Sequence, residues 1–502
     1  MVPVRLAGHQ DEDVRVSPAQ VVGKARPPVQ GALAVMIDGY RVPEARPALL
    51  RLRDRLEGDF IEPGDEAYEQ ARAVWNGMID KYPLAIVRAA SVADVAPVLE
   101  TARETGLPLA VRGGGHSIAG LGTIDDGIVL DLGGLREVTV DPEHRLVTAG
   151  PGARAADVDA ATAPHRLAVP LGTVSTPGIA GMTLGGGVGW LVRRAGLALD
   201  RLVSAEVITA AGTHLTASTS ENPDLFWGLR GGGGNFGVVT SFTYRAVPLP
   251  ETVLGATLFY QPARWRRALA AFERWSRGLP DTLTTILTVM VMPEDLGMGD
   301  EAWLMIRCAY VGDDVRAGNL LLDRLRRAAP PDDQTSGPIS WPQWQSAMDG
   351  LYPDGARGFW RNASFSRMDE DALDALTAIA SAIPGRGTAV DIHHLGGAFA
   401  RVPEDSTAFP TRSSRFWMAI NGFWQDAEED ARLTAFAEQA QAVMDQLSEH
   451  GEYVNFRARE FAHPLPDYSR RIYGEETYRR LQRVKQHYDP GNLFRGNYNV
   501  AP

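Results

Sequence analysis

Cysteine is almost absent from this 502-residue sequence, which contains only Cys308. A single thiol excludes an internal disulfide framework and any zinc or iron–sulfur site built from several thiolates. Long apolar runs are missing as well: none approaches the roughly 18 residues that a membrane helix needs. Residues 1–30 also lack the apolar core of a signal peptide. We therefore expect a cytoplasmic protein without a membrane partner.

Positive charge is scarce relative to negative charge. The chain has 50 Lys and Arg against 62 Asp and Glu, so its formal net charge is −12. Nucleic acid is bound by basic surfaces, and this balance gives no reason to expect a nucleic-acid partner. The length and the 44% apolar fraction are typical of a globular protein of two or three domains. They leave the oligomeric state open.

The secondary-structure pattern divides the chain into segments. Residues 1–47 are interrupted by prolines and lack periodicity, which indicates an extension. Up to about residue 250, short strands with turns rich in Gly, Asp and Pro predict an α+β fold, including a helix capped by Ser91 and Asp94 and ended by Gly106. Beyond it, a sheet with helices on one face is expected; the predicted helices lie near residues 264–277, 314–328, 369–382 and 427–448.

Glycine is in excess, with 52 residues. The first glycine-rich string, Arg112-Gly-Gly-Gly-His-Ser117, directly follows a predicted strand. Three successive glycines expose consecutive backbone N–H groups, which can form a nest for an anion such as a pyrophosphate. His116 would lie at the mouth of that nest. The alternative interpretation is a tight turn with an incidental histidine.

Two further glycine-rich strings follow. The run from Gly172 to Trp190 is too rich in glycine for a regular element at its ends, which indicates a loop packed against a cofactor or another backbone. The run Gly231–Gly237 contains a formal G-x-G-x-x-G pattern, but a helix precedes it and a strand follows it. Because the dinucleotide fingerprint needs the opposite order, we reject a Rossmann site.

The remaining candidates for chemistry carry less weight. His393 and His394 are adjacent on a predicted strand and should point to opposite faces, so we predict no metal site there. Tryptophan is concentrated beyond residue 250. Most of these rings should pack in the core, and some could form the wall of a pocket for a ring-shaped or sugar-like ligand.

Taken together, these strings resemble the FAD-linked oxidases of the vanillyl-alcohol-oxidase superfamily, and most closely the berberine-bridge-enzyme-like group. The resemblance covers residues 48–502 and is carried by several strings in order: Pro83–Arg88, Arg112–Ser117, Gly178–Gly187, Asp224–Gly237, Tyr453-Val-Asn455 and Tyr488–Arg495. It implies an FAD-binding domain of two α+β subdomains over residues 48–250, completed by residues 451–502. It also implies a substrate domain with an antiparallel sheet over residues 251–450.

The resemblance also assigns residues to the cofactor. The histidine of the Gly-Gly-Gly-His string is the covalent attachment point in this family, which implies that a neutral His116 binds the flavin. The other implied FAD-binding residues are Arg112, Gly113, Gly114, Gly115, Ser117, Gly120, Gly172, Thr173, Thr176, Gly178, Gly181, Gly186, Gly187, Val207, Asn455, Asn497 and Asn499.

The sequence departs from the family pattern at two positions. Many relatives attach the flavin a second time through a cysteine two residues after the glycine of the second loop, where this chain has Val174. Because Cys308 lies in the other domain, we predict a single attachment, through His116. Pro177 corresponds to the suspected oxygen gate of the family, and a proline there leaves the reactivity with oxygen open.

Tyr453 is the candidate catalytic base, because relatives that oxidise alcohols often use the tyrosine of the Tyr-x-Asn string. A phenol titrates near pH 10 in water, so it needs a lowered pKa or concerted proton transfer to act near neutrality. Arg457 or Arg459 could supply a cationic neighbour. The alternative is a structural hydroxyl bonded to the backbone.

The leading hypothesis is an FAD-dependent oxidase acting in secondary metabolism on a small molecule, such as an alcohol, a sugar-like compound or another natural product. Hydride would pass to flavin N5, and O2 would reoxidise the flavin to give H2O2. The alternatives are a dehydrogenase with another electron acceptor, a flavoprotein cyclase or rearrangement catalyst, and a flavin-free binding protein that retains the fold.

Overall fold

The computed structural model describes residues 36–37, 40–448, 452–458 and 468–502. Its first elements are β1 (Met36–Ile37), β2 (Tyr40–Arg41), α1 (Val42–Arg53), β3 (Asp59–Ile61), α2 (Tyr68–Arg72), β4 (Ala85–Arg88), α3 (Val95–Thr105), β5 (Leu109–Arg112) and β6 (Ile128–Asp131). β1 and β2 pair only with each other, and the other four strands form a small parallel sheet with one antiparallel edge strand, in the order β3-β4-β6-β5.

The second group forms a five-stranded antiparallel sheet in the order β11-β10-β12-β8-β7. Its elements are β7 (Val138–Asp141), β8 (Leu146–Ala149), α4 (Ala155–Thr162), β9 (Leu167–Ala168), α5 (Ile179–Gly185), α6 (Val192–Ala195), β10 (Leu202–Ile208), β11 (His214–Ser218), α7 (Pro223–Leu229) and β12 (Val238–Arg245). Together these two sheets build the first half of the molecule.

The second half is a seven-stranded antiparallel sheet in the order β17-β14-β16-β15-β19-β20-β18. After β13 (Val247–Pro248), which pairs with β9, come β14 (Val253–Tyr260), α8 (Trp265–Ser276), β15 (Leu283–Val291), β16 (Ala302–Tyr310), α9 (Val315–Ala328), β17 (Asp333–Ile339), α10 (Trp341–Ser346), β18 (Arg357–Phe365), α11 (Glu370–Ser381), β19 (Thr388–His394), α12 (Ala398–Arg401), β20 (Phe416–Trp424) and α13 (Asp430–Asp445).

One face of the seven-stranded sheet is covered by helices. The apolar residues of α8, α9, α11 and α13 pack against it in a single core, in which Cys308 of β16 is fully buried as a free thiol. The other face carries Thr288, Asp391, His393 and Asn421 and faces the first half of the molecule. A polar inner face and an apolar outer face follow from the alternation of side chains along each strand.

The chain ends by returning to the first half through α14 (Tyr468–Tyr473) and α15 (Glu475–Tyr488). Lys485 and Asp489 form a fully buried ion pair there, and Lys485 Nζ also donates to the carbonyl oxygens of Asn235 and Phe494. The buried ammonium is thus fully hydrogen-bonded and ties the tail to the third glycine-rich string.

The α+β class and the helix-covered antiparallel sheet are confirmed. The four amphipathic helices are confirmed within three residues at each end as α8, α9, α11 and α13. Ser91 and Asp94 form the expected capping box, and Gly106 ends α3 in the left-handed region with φ of 68°. The helix and strand that flank Gly231–Gly237 are α7 and β12, which confirms the reason for rejecting a Rossmann site.

Two features differ from the expectations. α1 begins at Val42, inside the predicted extension, since Pro43 lies in its first turn, where no backbone N–H is needed; residues 1–35 lie outside the described residues. β17 has no alternating pattern, because it is an exposed edge strand that contains Gly337 and Pro338. Within the described part of the chain, no helix combines the length and apolarity needed to cross a membrane.

Candidate active site and cofactor cavity

A cavity of about 310 Å³ lies between the two halves of the molecule. Its wall in the first half comes from the turn after β5, the loop before α5, the third glycine-rich string and the C-terminal tail. Its wall in the second half comes from the inner face of the seven-stranded sheet. A pocket formed by both halves is the usual place for a cofactor to meet a substrate.

The turn after β5 packs closely on neighbouring backbone, which its glycines allow. Gly113 and Gly114 pack directly on other backbone: a Cβ on Gly114 would lie 2.5 Å from Cα of Gly178, and one on Gly113 would lie 2.7 Å from the carbonyl oxygen of Pro151. Gly115 has φ of 67°. Among the described residues, no protein acceptor receives an N–H bond from residues 113–117. These donors line the cavity and remain available to an anion.

Arg112 holds this turn in place from below. Its guanidinium donates to the carbonyl oxygens of Ala71 and Ala73 and pairs with Asp131 at 2.8 Å. Arg112 lines the cavity, yet the donors that have partners point into the protein. Its contribution is therefore to anchor the turn.

His116 lies on the cavity wall and stacks on Trp75, with ring centroids 4.5 Å apart and an interplanar angle of 16°. Thr176 Oγ1 lies 3.4 Å from its Nε2. Burial lowers the pKa of His116 to about 4, so the imidazole is neutral near pH 7. A neutral ring nitrogen keeps the lone pair that a nucleophile requires.

The second glycine-rich loop faces the nest across the contact between Gly114 and Gly178. Gly172, Thr173, Gly178 and Gly181 line the cavity, and so do Val174 and Pro177. Val174 is therefore a wall residue at the position where a cysteine was considered. Cys308 lies in the core on the helix-covered face of the sheet, where burial raises its thiol pKa to about 12.

Tyr453 is buried and lines the cavity. Its phenol oxygen accepts hydrogen bonds from the backbone N–H of Gly187 and from Asn455 Nδ2, both at 3.0 Å, while its ring stacks on Trp417 at 4.8 Å. Burial raises the pKa of Tyr453, and the bonds from Gly187 and Asn455 oppose that shift. The hydrogen bond from the Gly187 backbone agrees with the alternative interpretation of Tyr453 as a structural hydroxyl. Tyr453 makes this bond and lines the cavity as well.

Arg457, one of the two arginines considered as a cationic neighbour of Tyr453, does not donate to its phenol oxygen. Arg457 pairs with Glu452 at 2.7 Å and lies over the ring of Tyr468. Arg459 lies outside the described residues. Among the described residues, the donors to the phenol are the backbone of Gly187 and the amide of Asn455.

Not all of the residues assigned to the cofactor reach the cavity. Asn455 and Asn497 line it together with the nest, but six others do not: Gly120, Thr176, Gly186, Gly187, Val207 and Asn499. Val207 supports the wall from behind, since a Cβ on Gly237 would lie 2.6 Å from its Cγ1. The lack of a side chain on Gly186 makes room for the ring of Tyr453, since a Cβ there would lie 2.8 Å from it. Gly187 instead donates its backbone N–H to the phenol oxygen, and a Cβ on it would lie 2.4 Å from Cβ of Ala198.

Several residues of the cavity carry no sequence signal of their own. Asp391 of β19 accepts hydrogen bonds from Thr288 Oγ1 at 2.5 Å and from Asn421 Nδ2 at 2.6 Å. Burial raises its pKa to about 6. His393 lies two residues further on the same face, and Tyr352 and Trp360 add aromatic walls. In the sequence, the only signal for this group of residues is the adjacent pair His393 and His394. Their side chains point to opposite faces of β19, and of the two only His393 lines the cavity.

The first half of the cavity fits an FAD molecule. The unpaired N–H groups of residues 113–117 suit the pyrophosphate, which is an anion. A Cβ at Gly181 or Gly233 would meet no protein atom within 4 Å and would enter the cavity itself. Asn497 Oδ1 is buried without a donor among the described residues. The cradle thus offers glycine surfaces and free polar groups to a large ligand.

The comparisons with known proteins agree with this fit. The family described as FAD binding domain matches residues 83–218, and the family described as berberine and berberine like matches residues 452–501. The chain is 30% identical over 463 residues to the uncharacterized FAD-linked oxidoreductase YgaK of Bacillus subtilis, which covers 90% of this chain and 98% of that protein.

Two further relatives have named activities. The (R)-6-hydroxynicotine oxidase of Paenarthrobacter nicotinovorans is 28% identical over 476 residues, which covers 89% of this chain and 97% of the oxidase. The structure of glucooligosaccharide oxidase from Acremonium strictum has a TM-score of 0.80 at 22% identity and covers 91% of this chain and 99% of that one. Its flavin is described as a 6-S-cysteinyl, 8α-N1-histidyl FAD.

Proposed function

The chain belongs to the berberine-bridge-enzyme-like family of FAD-linked oxidoreductases, and from this premise we propose that it is an oxidase with flavin attached only through His116. The observation that carries the proposal is the shared cavity, in which a neutral imidazole and a buried phenol face the same space. Val174 on the cavity wall supports a single attachment, since it offers no thiol.

FAD, when bound, supplies a two-electron acceptor for hydride from the substrate and passes these electrons on to O2, which becomes H2O2. The residues of the chain would bind the cofactor and orient it. The nest at residues 113–117 would bind the pyrophosphate, and loop 172–182 and Asn497 would hold the remainder. His116, held flat on Trp75, would provide the nucleophilic nitrogen for attachment.

Tyr453 would handle the proton that leaves the substrate. Its oxygen already accepts two N–H bonds, so its own proton is left to point toward a ligand. The same two donors stabilise a phenolate, which can accept a proton from a substrate O–H or acidic C–H. Asn455 would act as a positioning residue, because it also donates to the carbonyl of Met182 at 3.2 Å.

Asp391 is the second group able to move a proton in this cavity. Its carboxyl is nine-tenths buried and holds a pKa of about 6, close to the range in which a general base is effective. The hydrogen bonds from Thr288 and Asn421 fix its orientation. We expect Asp391 to bind or deprotonate the polar end of a substrate.

The substrate would lie between the sheet and the flavin. Aromatic rings of Tyr352, Trp360 and Phe456 surround polar groups of Asp391, His393 and Asn421 in the cavity wall. This combination suits a small ring-shaped molecule that carries hydroxyl or amine groups. The named relatives act on hydroxynicotine and glucooligosaccharide, and an alcohol, sugar-like or natural-product substrate of secondary metabolism fits the same chemistry.

A dehydrogenase with another electron acceptor is the alternative that one observation favours. Pro177 lines the cavity at the position assigned to the oxygen gate. The deciding experiment is anaerobic reduction of the purified yellow protein by a panel of alcohols, sugars and amines, followed by admission of air. Reoxidation with stoichiometric H2O2 supports the oxidase, whereas a flavin that stays reduced in air identifies the dehydrogenase.

A further inference from the structure

A single connection, residues 340–356, joins the two edge strands of the seven-stranded sheet. β17 ends at Ile339 and β18 begins at Arg357, and these strands lie at opposite edges in the order β17-β14-β16-β15-β19-β20-β18. The connection must therefore cross the whole sheet. It crosses on the inner face, since Trp344 packs against Gly255 of β14, where a Cβ would lie 2.6 Å from the indole. We call residues 340–356 the strap.

The strap is hydrogen-bonded to the loop that forms one wall of the cofactor cavity. Gln345 is buried, and its Nε2 donates to the carbonyl oxygen of Gly172 at 2.6 Å and to that of Val174 at 3.4 Å. Asp349 accepts from the backbone N–H of Ser175 at 2.8 Å and also from the Ser175 hydroxyl. The strap therefore holds loop 172–175 by both its carbonyl and its N–H groups.

A third side chain, Trp190, also binds this loop. Trp190 Nε1 donates to the carbonyl oxygen of Thr173 at 3.2 Å, and its ring packs edge-on against Trp344 of the strap at 5.1 Å. The guanidinium of Arg307, on the sheet, lies 4.8 Å from the ring of Trp190 and 5.5 Å from that of Trp344. The carbonyl groups of three consecutive loop residues are thus held by Gln345 of the strap and by Trp190, whose ring packs against the strap and beside Arg307 of the sheet.

Holding these carbonyl groups also orients the N–H groups of the loop. In a trans peptide the N–H points away from the carbonyl of the preceding residue. The bonds to the carbonyls of Gly172 and Thr173 therefore direct the N–H groups of Thr173 and Val174 to the other side. Both residues line the cavity, and neither N–H has a protein acceptor among the described residues.

The strap also holds the ring beneath His116. Trp75 Nε1 donates to the carbonyl oxygen of Tyr352 at 3.1 Å, and the backbone N–H of Gly355 donates to the carbonyl oxygen of Trp75 at 3.0 Å. Trp75 in turn stacks on His116. Two separate parts of the cofactor wall are thus positioned by one segment of the other half of the molecule.

We propose that the strap positions loop 172–175 for the cofactor: Gln345 and Asp349 act as positioning residues that present the N–H groups of Thr173 and Val174 to bound FAD. The proposal rests on the proposed function in one respect, the presence of FAD in this cavity. It implies that the second half of the molecule takes part in cofactor binding, although its residues need not touch the cofactor.

The test compares Gln345→Met with Ser346→Ala in the full-length chain. Methionine retains the volume of glutamine and removes the donor. Ser346 is an exposed neighbour on α10 whose hydroxyl, among the described residues, donates only to carbonyl oxygens of its own helix. Both changes are made in a His116→Ala background, so that FAD binds reversibly and its Kd can be titrated. We expect Gln345→Met to weaken FAD binding about tenfold, as the loss of oriented hydrogen bonds predicts, and Ser346→Ala to leave the Kd within about twofold.

A spectroscopic readout separates positioning from general destabilisation. In the chain with His116 intact, Gln345→Met should shift the visible absorption maximum of the flavin, and Ser346→Ala should not. Asp349→Asn and Ser175→Ala, singly and combined, give a second and independent measurement of the Kd. We expect the combined effect to fall short of the sum, since the two groups act through one contact.

An unchanged Kd and an unchanged spectrum in both Gln345→Met and Asp349→Asn would overturn the proposal. A wild-type chain that takes up no FAD at all would overturn the proposed function, and the strap proposal with it. That outcome is visible before any variant is made, so the two failures are distinguishable.

Discussion

The chemistry assigned to His116 depends on two local properties of its ring. Stacking on Trp75 fixes the plane of the imidazole, and burial lowers its pKa to about 4. The ring is therefore oriented and unprotonated throughout the neutral range. A solvent-exposed histidine, with a pKa near 6.5, would be partly protonated there and free to rotate.

We expect His116→Ala to abolish covalent flavin while leaving the fold intact. The alanine removes the only nucleophilic side chain that the proposal places at the attachment point, and the turn itself is held by Arg112. Flavin should leave the acid-precipitated variant, whereas it should remain on His144→Ala, a change at an exposed histidine. Flavin that stays bound to precipitated His116→Ala would exclude this residue as the attachment point.

Tyr453→Phe should slow anaerobic reduction of the flavin by at least about tenfold. The substitution retains the ring that stacks on Trp417 and removes the oxygen that accepts from Gly187 and Asn455. Loss of a general base commonly costs about 10²–10⁴-fold in rate. Tyr478→Phe, at a buried tyrosine away from the cavity, is the control. An unchanged reduction rate would assign Tyr453 a structural role.

Asp391→Asn tests the second proton-moving group through the pH dependence. Because the pKa of Asp391 is raised to about 6, its carboxylate form is present above that pH and is lost as the pH falls through it. The rate of flavin reduction in the wild type should therefore rise with pH through about 6. Asparagine keeps the shape and removes the titration, so the variant should lack this step. A step that persists in Asp391→Asn belongs to another group.

At the scale of elements, the contact between helices α4 and α10 joins the two halves through a buried carboxyl. Asp159 of α4 is 3% exposed; its Oδ1 accepts from Trp341 Nε1 at 2.9 Å, and its Oδ2 has no donor among the described residues. Burial raises the pKa of Asp159 to about 7. The helix contact therefore favours the protonated acid.

This contact makes a prediction about stability. The folded protein retains the Asp159 proton between about pH 4 and about pH 7, where the unfolded chain has released it, so this group makes the wild type less stable as the pH rises through that window. Asp159→Asn removes the dependence. We expect the difference in unfolding free energy between variant and wild type to move in favour of the variant by about 3 kcal/mol from pH 4.5 to pH 8. The unfolding free energies are measured by urea titration at each pH, and a difference between variant and wild type that does not change with pH would contradict this.

The elements that the sequence predicts well are those whose pattern is local. Helices α8, α9, α11 and α13 each bury one face against the sheet, so their amphipathic period is visible in the chain. The capping box at Ser91 and the glycine that ends α3 are equally local signals. β17 escapes prediction because an exposed edge strand needs no apolar face.

At the scale of the whole molecule, the two halves are also joined by a buried ion pair. Arg412, which precedes β20, makes a bidentate contact with Asp200, which precedes β10, at 2.8 Å for both bonds. Both side chains are almost fully buried, and the guanidinium lies over Phe399 and Phe409. Phe409 contacts Tyr453, so the pair also supports the wall of the active site.

Arg412→Met should destabilise the protein by about 3–5 kcal/mol, because it leaves the carboxylate of Asp200 buried without its partner. Arg432→Met is the matched control, since Arg432 pairs with Glu429 on the surface, where an ion pair contributes about 0–1 kcal/mol. Both values are measured by urea unfolding. Equal midpoints for the two variants would show that the buried pair does not hold the halves together.

The candidate site could be predicted only where its residues form strings. The nest at residues 113–117 and the pair Tyr453 and Asn455 are contiguous, and they line the cavity as expected. Asp391 comes from β19 whereas Tyr352 and Gln345 come from the strap, and their convergence depends on the strand order. Gly120, Thr176 and Val207 do not line the cavity, although Thr176 Oγ1 lies 3.4 Å from Nε2 of His116, which does. The roles of all these residues stay predictions.

The contact between Gly114 and Gly178 has a consequence for how this binding site can change over generations of mutation. Each of these glycines occupies the room that a methyl group on the other would need, with Cβ positions 2.5 to 2.6 Å from the opposing Cα. Neither glycine-rich string can accept a side chain at this position unless the backbone of the other string moves away. The two strings must therefore be inherited or transplanted together.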